Sequence, residues 1–345
     1  MIGQIEKSYK IIQSYYQTNL IAFITISHAN KETKLKKEKD SHILTLYNLA
    51  TNEILTEFRF HHKIRNFLLT KNQLTIIFKN NIYLFDLFSF ENIDKFSTYT
   101  NCNGIVAITS CDSSPYSIII AYPDEAKGYV RVRDYEKNTS ILLFIDDSGI
   151  SSMAITNAVP YLAVAASTGV VIKIIDYRDG AVVQVLKRGI GEAYINCIVF
   201  DNKALLLSAT SNKGTVHVWT VERNDDKGRK TFGLEGDENK KRPMKKSRVS
   251  VIKHLFFSSN IEELSFASMH LNEKMSVCSF DNTGTGLFVV GQSGMVYYGK
   301  IDFVKGGEIT IERRFTVKEK RNHINIKNHS HTNKNEEKEN SFEVI

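Results

Sequence analysis

Residues 150–189 read ISSMAITNAVPYLAVAASTGVVIKIIDYRDGAVVQVLKRG. This segment contains four short runs of β-branched and small apolar residues, separated by Asn-Ala-Val-Pro, Ser-Thr-Gly and Arg-Asp-Gly. Short apolar runs bounded by such residues are typical of β-strands joined by tight turns. The segment is therefore predicted to form one four-stranded sheet.

Similar groups of strand-like runs recur along the chain at a spacing of roughly 40 residues, the length of one propeller blade. Six such groups are found, at residues 19–60, 64–98, 104–146, 150–189, 195–271 and 275–317. One group alone would leave a hydrophobic sheet face exposed, so we expect the groups to stack in a ring. The predicted fold is all-β, a β-propeller.

The chain has 345 residues, enough for one domain with a substantial core. Its 45 basic and 38 acidic residues give a formal charge of +7. That sign favours an anionic partner such as a phosphate-bearing surface, although the same charge also serves solubility alone. No run reaches the length of a membrane span and no signal peptide is evident, so we expect a cytoplasmic protein.

Nothing in the sequence indicates catalysis or a cofactor. The cysteines Cys102, Cys111, Cys197 and Cys278 have neither metal-binding nor disulfide-framework spacing. Nucleophile elbows, Walker loops and carboxylate pairs are missing from the sequence, so we predict a protein that is not an enzyme. We expect no nucleic-acid partner, because the basic run at 240–248 lacks aromatic residues that would stack on bases.

Two adjacent cations end the fourth group, in the sequence Leu186-Lys187-Arg188-Gly189. Neighbouring strand residues point to opposite faces, so Lys187 and Arg188 would address two separate pockets. That arrangement suits two phosphate groups. A solvated sheet edge would carry the same pair.

A second polar cluster follows at residues 210–217, which read TSNKGTVH. Its hydroxyl groups, lysine and histidine lie on a predicted strand, turn and strand. Hydroxyl, imidazole and guanidinium groups donate the hydrogen bonds that phosphate oxygens accept. The alternative is an ordinary turn in which Thr215 and His217 satisfy local backbone groups.

Together these stretches resemble the PROPPIN family, WD-repeat β-propellers that bind phosphoinositides and act in autophagy and endolysosomal traffic. The family hallmark, Phe/Leu-Arg-Arg-Gly, corresponds here to Leu186-Lys187-Arg188-Gly189. The resemblance runs from about residue 19 to 302 and includes residues 81–84, 193–197, 213–217, 256–259 and 264–267. It implies a WD40-like propeller over residues 1–317, nominally seven-bladed. Because nothing before Asn19 supplies a further blade, we expect the first blade to be incomplete.

The resemblance also implies two lipid-headgroup pockets on one propeller edge. The second pocket is expected to use Arg188 as its key cation, after which Gly189 completes the motif. Its expected flanking residues are Thr210, Ser211, Thr215 and His217.

The first pocket departs from the family pattern. Asp146, Ala166, Val170, Lys173 and Lys187 stand where the family has histidine, serine, threonine, arginine and arginine. A carboxylate repels phosphate, and lysine lacks the bidentate fork of arginine. This pocket, with Lys173 and Lys187 as its cations, is expected to be weakened.

The fifth group contains a basic insertion, residues 223–250, at the place where PROPPINs carry a loop that contacts the bilayer. The expected membrane-contact residues are Phe232, Leu234, Lys240, Lys241, Arg242, Lys245 and Lys246. Each cation near an anionic leaflet contributes about 1 kcal/mol before screening by salt. A nuclear import signal and a solvated loop are the alternatives. Residues 318–345 are rich in Lys, Asn, His and Glu and are predicted to be a disordered polar tail.

The expected function is a non-catalytic effector of phosphatidylinositol 3-phosphate, with the 3,5-bisphosphate as a second candidate ligand. Such a protein would be a monomer, recruited from the cytoplasm to autophagosomal precursor or endolysosomal membranes. There it would recruit autophagy-related proteins. The alternative is a WD-repeat interaction scaffold without functional lipid binding, which the altered first pocket favours.

Overall fold

The computed structural model describes residues 9–14, 18–25, 42–110, 117–224, 230–232, 262–316 and 341–343. Within these ranges the chain consists of β-strands, turns and short connections. No helix in them is long and apolar enough to cross a membrane. The chain divides into two compact units, Met1–Phe96 with Lys318–Ile345, and Ser97–Val317.

The first unit contains two antiparallel sheets, each built from consecutive strands. Sheet A consists of β1 (Tyr9–Ser14), β2 (Leu20–Thr25), β3 (Ile43–Asn48) and β4 (Glu53–Arg59). Sheet B consists of β5 (Asn66–Leu69), β6 (Gln73–Ile77), β7 (Asn81–Asp86) and β8 (Asn92–Ser97).

The second unit begins with two further sheets of the same form. Sheet C consists of β9 (Ala107–Ser110), β10 (Ile118–Pro123), β11 (Tyr129–Asp134) and β12 (Thr139–Phe144). Sheet D consists of β13 (Ile150–Ile155), β14 (Tyr161–Ala166), β15 (Val171–Asp176) and β16 (Val182–Lys187).

The remaining strands of this unit form sheets E and F, a small hairpin and a fifth strand of sheet D. In chain order they are β17 (Ile195–Phe200), β18 (Leu206–Ser211), β19 (Thr215–Thr220), β20 (Glu222–Asn224), β21 (Lys230–Phe232), β22 (Glu262–Leu264), β23 (Ala267–His270), β24 (Ser276–Phe280), β25 (Gly286–Gly291), β26 (Met295–Lys300), β27 (Gly307–Glu308) and β28 (Thr310–Thr316). Sheet E is β17-β18-β19-β23, and sheet F is β24-β25-β26-β28. Strands β20 and β21 pair only with each other.

Three sheets gain a short fifth strand that runs parallel to its neighbour. Strand β22 pairs with β16 of sheet D, and β27 pairs with β23 of sheet E. Strand β29 (Ser341–Glu343) pairs with β4 of sheet A and was not predicted from the sequence. The rest of the predicted tail lies outside the described residues. A fifth strand satisfies backbone groups that an edge strand would otherwise leave unpaired.

The prediction of an all-β propeller is confirmed, but its blade number is corrected. The described residues form six four-stranded blades, not seven, and the first of them is complete. Strand β1 supplies the strand that the sequence reading missed, because Tyr9–Ser14 reads YKIIQS and has no clear apolar run. The side chain of Gln13 holds β1 against sheet B, donating to the Phe67 carbonyl at 2.9 Å and accepting from the Leu69 amide at 3.0 Å.

The apolar cores of the second unit lie between neighbouring sheets. Leu162 and Val164 of β14 pack with residues of sheet C, whereas Ala163 and Ala165 pack with residues of sheet E. Both faces of sheet D are therefore buried, and alternate side chains of each strand face different neighbours. This alternation positions the cations at the end of β16.

We expect Gln13→Ala to destabilise the first unit by about 1–3 kcal/mol, because it leaves the Phe67 carbonyl and the Leu69 amide without their side-chain partner. Chemical denaturation of the purified protein measures this as a lower midpoint. Ser14→Ala, at an exposed position of the same strand, is the control and should leave the midpoint unchanged. Equal midpoints for the two variants would contradict the anchoring role of Gln13.

Candidate functional site

The strand that carries the two motif cations places them on opposite faces of sheet D. Lys187 pairs with Val171, and cross-strand partners share a face, so Lys187 lies on the same face as Lys173. That face packs against sheet C. Leu186 is buried in the core shared with sheet E. Arg188, two residues further on, follows the alternation onto the sheet E face.

Arg188 is fixed by backbone carbonyl groups. Its Nε donates to the Gly169 carbonyl at 2.9 Å, and its Nη2 donates to the Gly191 carbonyl. Among the described residues, Arg188 forms no ion pair with a carboxylate. Partial burial lowers its pKa, although an arginine remains fully protonated at any physiological pH. The guanidinium group therefore has a fixed direction, an uncompensated charge and further N–H donors.

Gly169 is needed for this arrangement. Its φ is +60°, and a Cβ there would collide with the Ala193 carbonyl. The Ala193 amide donates to the Thr168 carbonyl at 3.0 Å, so this turn and the segment after Arg188 are joined. A larger residue at position 169 would displace the carbonyl that orients Arg188.

Sheet E presents hydroxyl groups on the face toward sheet D. Ser211, Thr215 and His217 share one face of β18 and β19, since His217 pairs with Ala209 two residues before Ser211. The hydroxyl groups of Ser211 and Thr215 are 3.0 Å apart. Ser211 is buried and Thr215 is half-buried.

His217 is a neutral imidazole close to Arg188. Burial, the charge of Arg188 and the neighbouring His270 lower its pKa from 6.5 to about 4. Its Nδ1 is 3.1 Å from the Ser265 hydroxyl, and its ring stacks on Trp219 with centroids 5.6 Å apart. The ring is therefore held in place and has one N–H to donate at neutral pH.

Thr210 does not join this group. Ala209 and Ser211, on either side of Thr210 in β18, face sheet D. Because side chains alternate along a strand, Thr210 faces sheet F, where its hydroxyl donates to the Ser276 carbonyl at 2.6 Å. The side chain is fully buried. Gly189 is also less constrained than the motif suggests, because its φ is not in the left-handed region and a Cβ would meet no atom within 4 Å.

The cation Lys173 of the predicted first pocket contacts groups of the protein itself. The Lys173 ammonium donates to the Ile145 carbonyl at 2.6 Å. Asp146 follows immediately, and its pKa is lowered mainly by hydrogen bonding from Ser148 and further by the charges of Lys173 and Lys127. Ala166 is buried. An ionised carboxylate thus lies beside one of the two cations on the sheet C face.

Sequence reasoning missed the role of the strand after the insertion. Strand β22 pairs along β16, with Leu264 opposite Lys187. Ser265 follows and contacts His217. Ser265 belongs to residues 264–267, one of the stretches that resemble the family. Its hydroxyl group, next to a strand that was not predicted, was the only signal in the sequence for a role in the site.

Of the membrane-contact residues predicted in the insertion, only Phe232 is among the described residues. Phe232 is the last residue of β21. Leu234, Lys240, Lys241, Arg242, Lys245 and Lys246 lie outside the described residues. The described residues contain no group of three or more metal-ligating side chains. Cys102, Cys197 and Cys278 are free thiols.

The chain is similar to proteins of one family along most of its length. It matches the PROPPIN family over residues 11–317. Autophagy-related protein 18e of Arabidopsis thaliana is 26% identical over 315 residues, which cover 90% of this chain and 77% of that protein.

Two solved structures show the same fold at low sequence identity. Hsv2 of Kluyveromyces lactis matches with a TM-score of 0.66 at 14% identity, over 91% of this chain and 88% of that one. A complex of KlAtg21 with the coiled-coil of AgAtg16 matches with a TM-score of 0.66 at 15% identity, over 92% of this chain and 87% of that one. These likenesses support the propeller fold.

We expect a histidine NMR titration to give His217 a pKa of about 4, and Arg188→Ala to raise it, because that variant removes a positive charge that opposes protonation. Arg178→Ala is a matched control, since Arg178 lies in the turn between β15 and β16 and pairs with Asp176 at 2.6 Å. An unchanged pKa in Arg188→Ala would show that the two side chains do not interact.

The same shift sets a pH window for stability. The unfolded chain takes up a proton on His217 below about pH 6.5, whereas the folded protein does so only near pH 4. The contribution of His217 to stability is therefore fully present above pH 6.5 and is lost as the pH falls toward 4. His217→Gln should make the denaturation midpoint less pH-dependent in this window.

Proposed function

The chain belongs to the PROPPIN family, and we propose that it is a non-catalytic effector of phosphatidylinositol 3-phosphate. The 3,5-bisphosphate is the second candidate ligand. In this role the protein moves from the cytoplasm to autophagosomal precursor or endolysosomal membranes and recruits other proteins there. Its similarity to an autophagy-related protein supports the cellular process.

One observation carries the proposal. Arg188 lies on the face of sheet D toward sheet E, where carbonyl groups fix its direction, and His217 lies on the facing side of sheet E. The charge of Arg188 also contributes to the lowered pKa of His217. The hydroxyl groups of Ser211 and Thr215 lie on the same face of sheet E as His217. A fixed cation, two hydroxyl groups and a neutral imidazole together form a donor set suited to a phosphate monoester.

Each group has a distinct part in anion binding. The guanidinium group supplies charge and planar N–H donors, which match phosphate oxygens better than an ammonium would. The hydroxyl groups and the imidazole add neutral donors that require no further charge to be buried. A bound phosphate raises the pKa of His217, because an opposite charge favours the protonated ring.

Membership in the family and the character of the donor set favour binding over catalysis. The groups around Arg188 donate hydrogen bonds, and His217 stays unprotonated until about pH 4. An acid–base catalyst works best with a pKa near the operating pH. The proposed site is thus suited to holding a phosphate group.

Protein recruitment is supported by the matching complex of KlAtg21 with the coiled-coil of AgAtg16. We extend this to a proposal that autophagy-related proteins bind this chain on a surface other than the one that faces the membrane. A propeller has several blade edges and two ends, so lipid and protein contacts do not compete for one surface.

We expect Arg188→Ala to reduce co-sedimentation with vesicles that contain phosphatidylinositol 3-phosphate at physiological salt by about tenfold or more, since a hydrogen bond to a charged group contributes roughly 1.5–3 kcal/mol. Vesicles with an equal charge from phosphatidylserine test specificity. Arg178→Ala removes the same charge from an exposed position in the turn between β15 and β16, so this variant should keep the preference for the phosphoinositide.

Two outcomes would overturn the lipid proposal. One is wild-type protein that binds both kinds of vesicle equally, and the other is an Arg188→Ala variant that binds as the wild type does. Either outcome would leave attraction by the basic insertion, or a protein-interaction scaffold, as the explanation.

We expect Asp146→Asn to strengthen binding to the same vesicles several-fold, because it removes an ionised carboxylate beside Lys173. Asparagine retains an oxygen that can accept from the Ser148 amide, which now bonds Asp146 at 2.8 Å. Asp147→Asn, the exposed neighbour, is the charge-matched control. Equal affinity in all three proteins would indicate that no lipid group approaches the sheet C face.

A further inference from the structure

Two exposed aliphatic side chains lie beside the motif cations. Ile190, two residues after Arg188, is 94% exposed, the highest value among the large apolar side chains of the described residues. Leu264 is 61% exposed and lies opposite Lys187 in the parallel pairing of β22 with β16. Apolar residues thus flank the cation pair on both sides, one along the chain and one across the strand.

The segment that carries Ile190 projects outward but is held at its base. A Cβ on Gly189 or Gly191 would meet no atom within 4 Å. The Gly191 carbonyl nevertheless accepts from Arg188. Further along, the Tyr194 amide donates to the Asn212 side chain at 2.9 Å, and the Asn212 amide donates to the Tyr194 carbonyl at 2.9 Å.

The composition around Ile190 fits the boundary between lipid headgroups and acyl chains. Tyr194 is 38% exposed, and Lys213 is exposed in the turn after Asn212. Aliphatic side chains place apolar atoms in lipid, and tyrosine and lysine side chains do so while keeping a polar end in water. Glu192 is also exposed and opposes an anionic surface, so charge alone does not explain this composition.

We propose that Ile190 and Leu264 insert into the bilayer surface and form an anchor beside the headgroup site, in addition to the basic insertion. This inference rests on the proposed function, because a lipid whose phosphate is held by Arg188 brings its acyl chains close to Ile190. Burial in lipid also explains a nearly fully exposed isoleucine on a held segment, since burying apolar surface is favourable.

A tryptophan at position 190 tests the insertion directly. The chain has a single tryptophan, Trp219, which is 1% exposed, so an Ile190→Trp variant adds one accessible fluorophore. In vesicles with phosphatidylinositol 3-phosphate and acyl-brominated lipids, we expect quenching of the added fluorescence. Val182→Trp is the control, since Val182 is 49% exposed at the other end of β16 and should not be quenched. Bound protein whose position 190 is not quenched would overturn the proposal.

Serine substitutions separate this anchor from the headgroup site. We expect Ile190→Ser with Leu264→Ser to weaken vesicle binding by about tenfold, as expected for partial loss of apolar burial. The affinity of this double variant for soluble inositol 1,3-bisphosphate, measured by calorimetry, should stay at the wild-type value. The control Val182→Ser should change neither the vesicle affinity nor the affinity for the soluble headgroup. Equal vesicle affinity for the double variant and the wild type would overturn the anchor while leaving the headgroup site intact. If wild-type protein binds neither the soluble headgroup nor the vesicles, the proposed function fails and the anchor fails with it.

Discussion

Burial of both faces of sheet D is the constraint on which the candidate site depends. Because Leu186 must face the core shared with sheet E, Arg188 has to face the same way and Lys187 has to face sheet C. A shift of one residue in β16 would turn Leu186 away from the core shared with sheet E, toward sheet C, and would exchange the directions of the two cations. The packing of the blades therefore fixes the direction of each charge before any ligand is present.

The parts of the fold that sequence reasoning found are those with strong local patterns. Strands such as Tyr161–Ala166 are apolar along their whole length, and their turns carry Gly or Asp, so the groups could be counted. Strand β1 has no such pattern, although it pairs with β2, and Gln13 also holds it through contacts with a strand more than fifty residues away. Only tertiary structure reveals a strand of this kind.

The candidate site was predicted only as far as local strand alternation determines it. Strand alternation was enough to place Lys187 and Arg188 on different faces. The same rule, applied to Thr210 and Ser211, excludes one of the two from any single pocket, and the core packing decides that Thr210 is the one. Ser265 and the carbonyl of Gly191 come from other segments of the chain. No periodicity in the sequence predicts that they contact His217 and Arg188.

The pairing of β22 with β16 links two features that look independent in the sequence. Hydrogen bonds from β22 cover the outer edge of the strand that carries the cations, so this edge is not open to another chain. The next residue, Ser265, contacts the imidazole on the neighbouring sheet. The Gln184 side chain ties both ends of the insertion together, since it donates to Glu263 at 2.8 Å and accepts from the Glu222 amide at 3.1 Å. Glu263 and Ser265, which follow the insertion in the chain, are consequently part of the framework of the site.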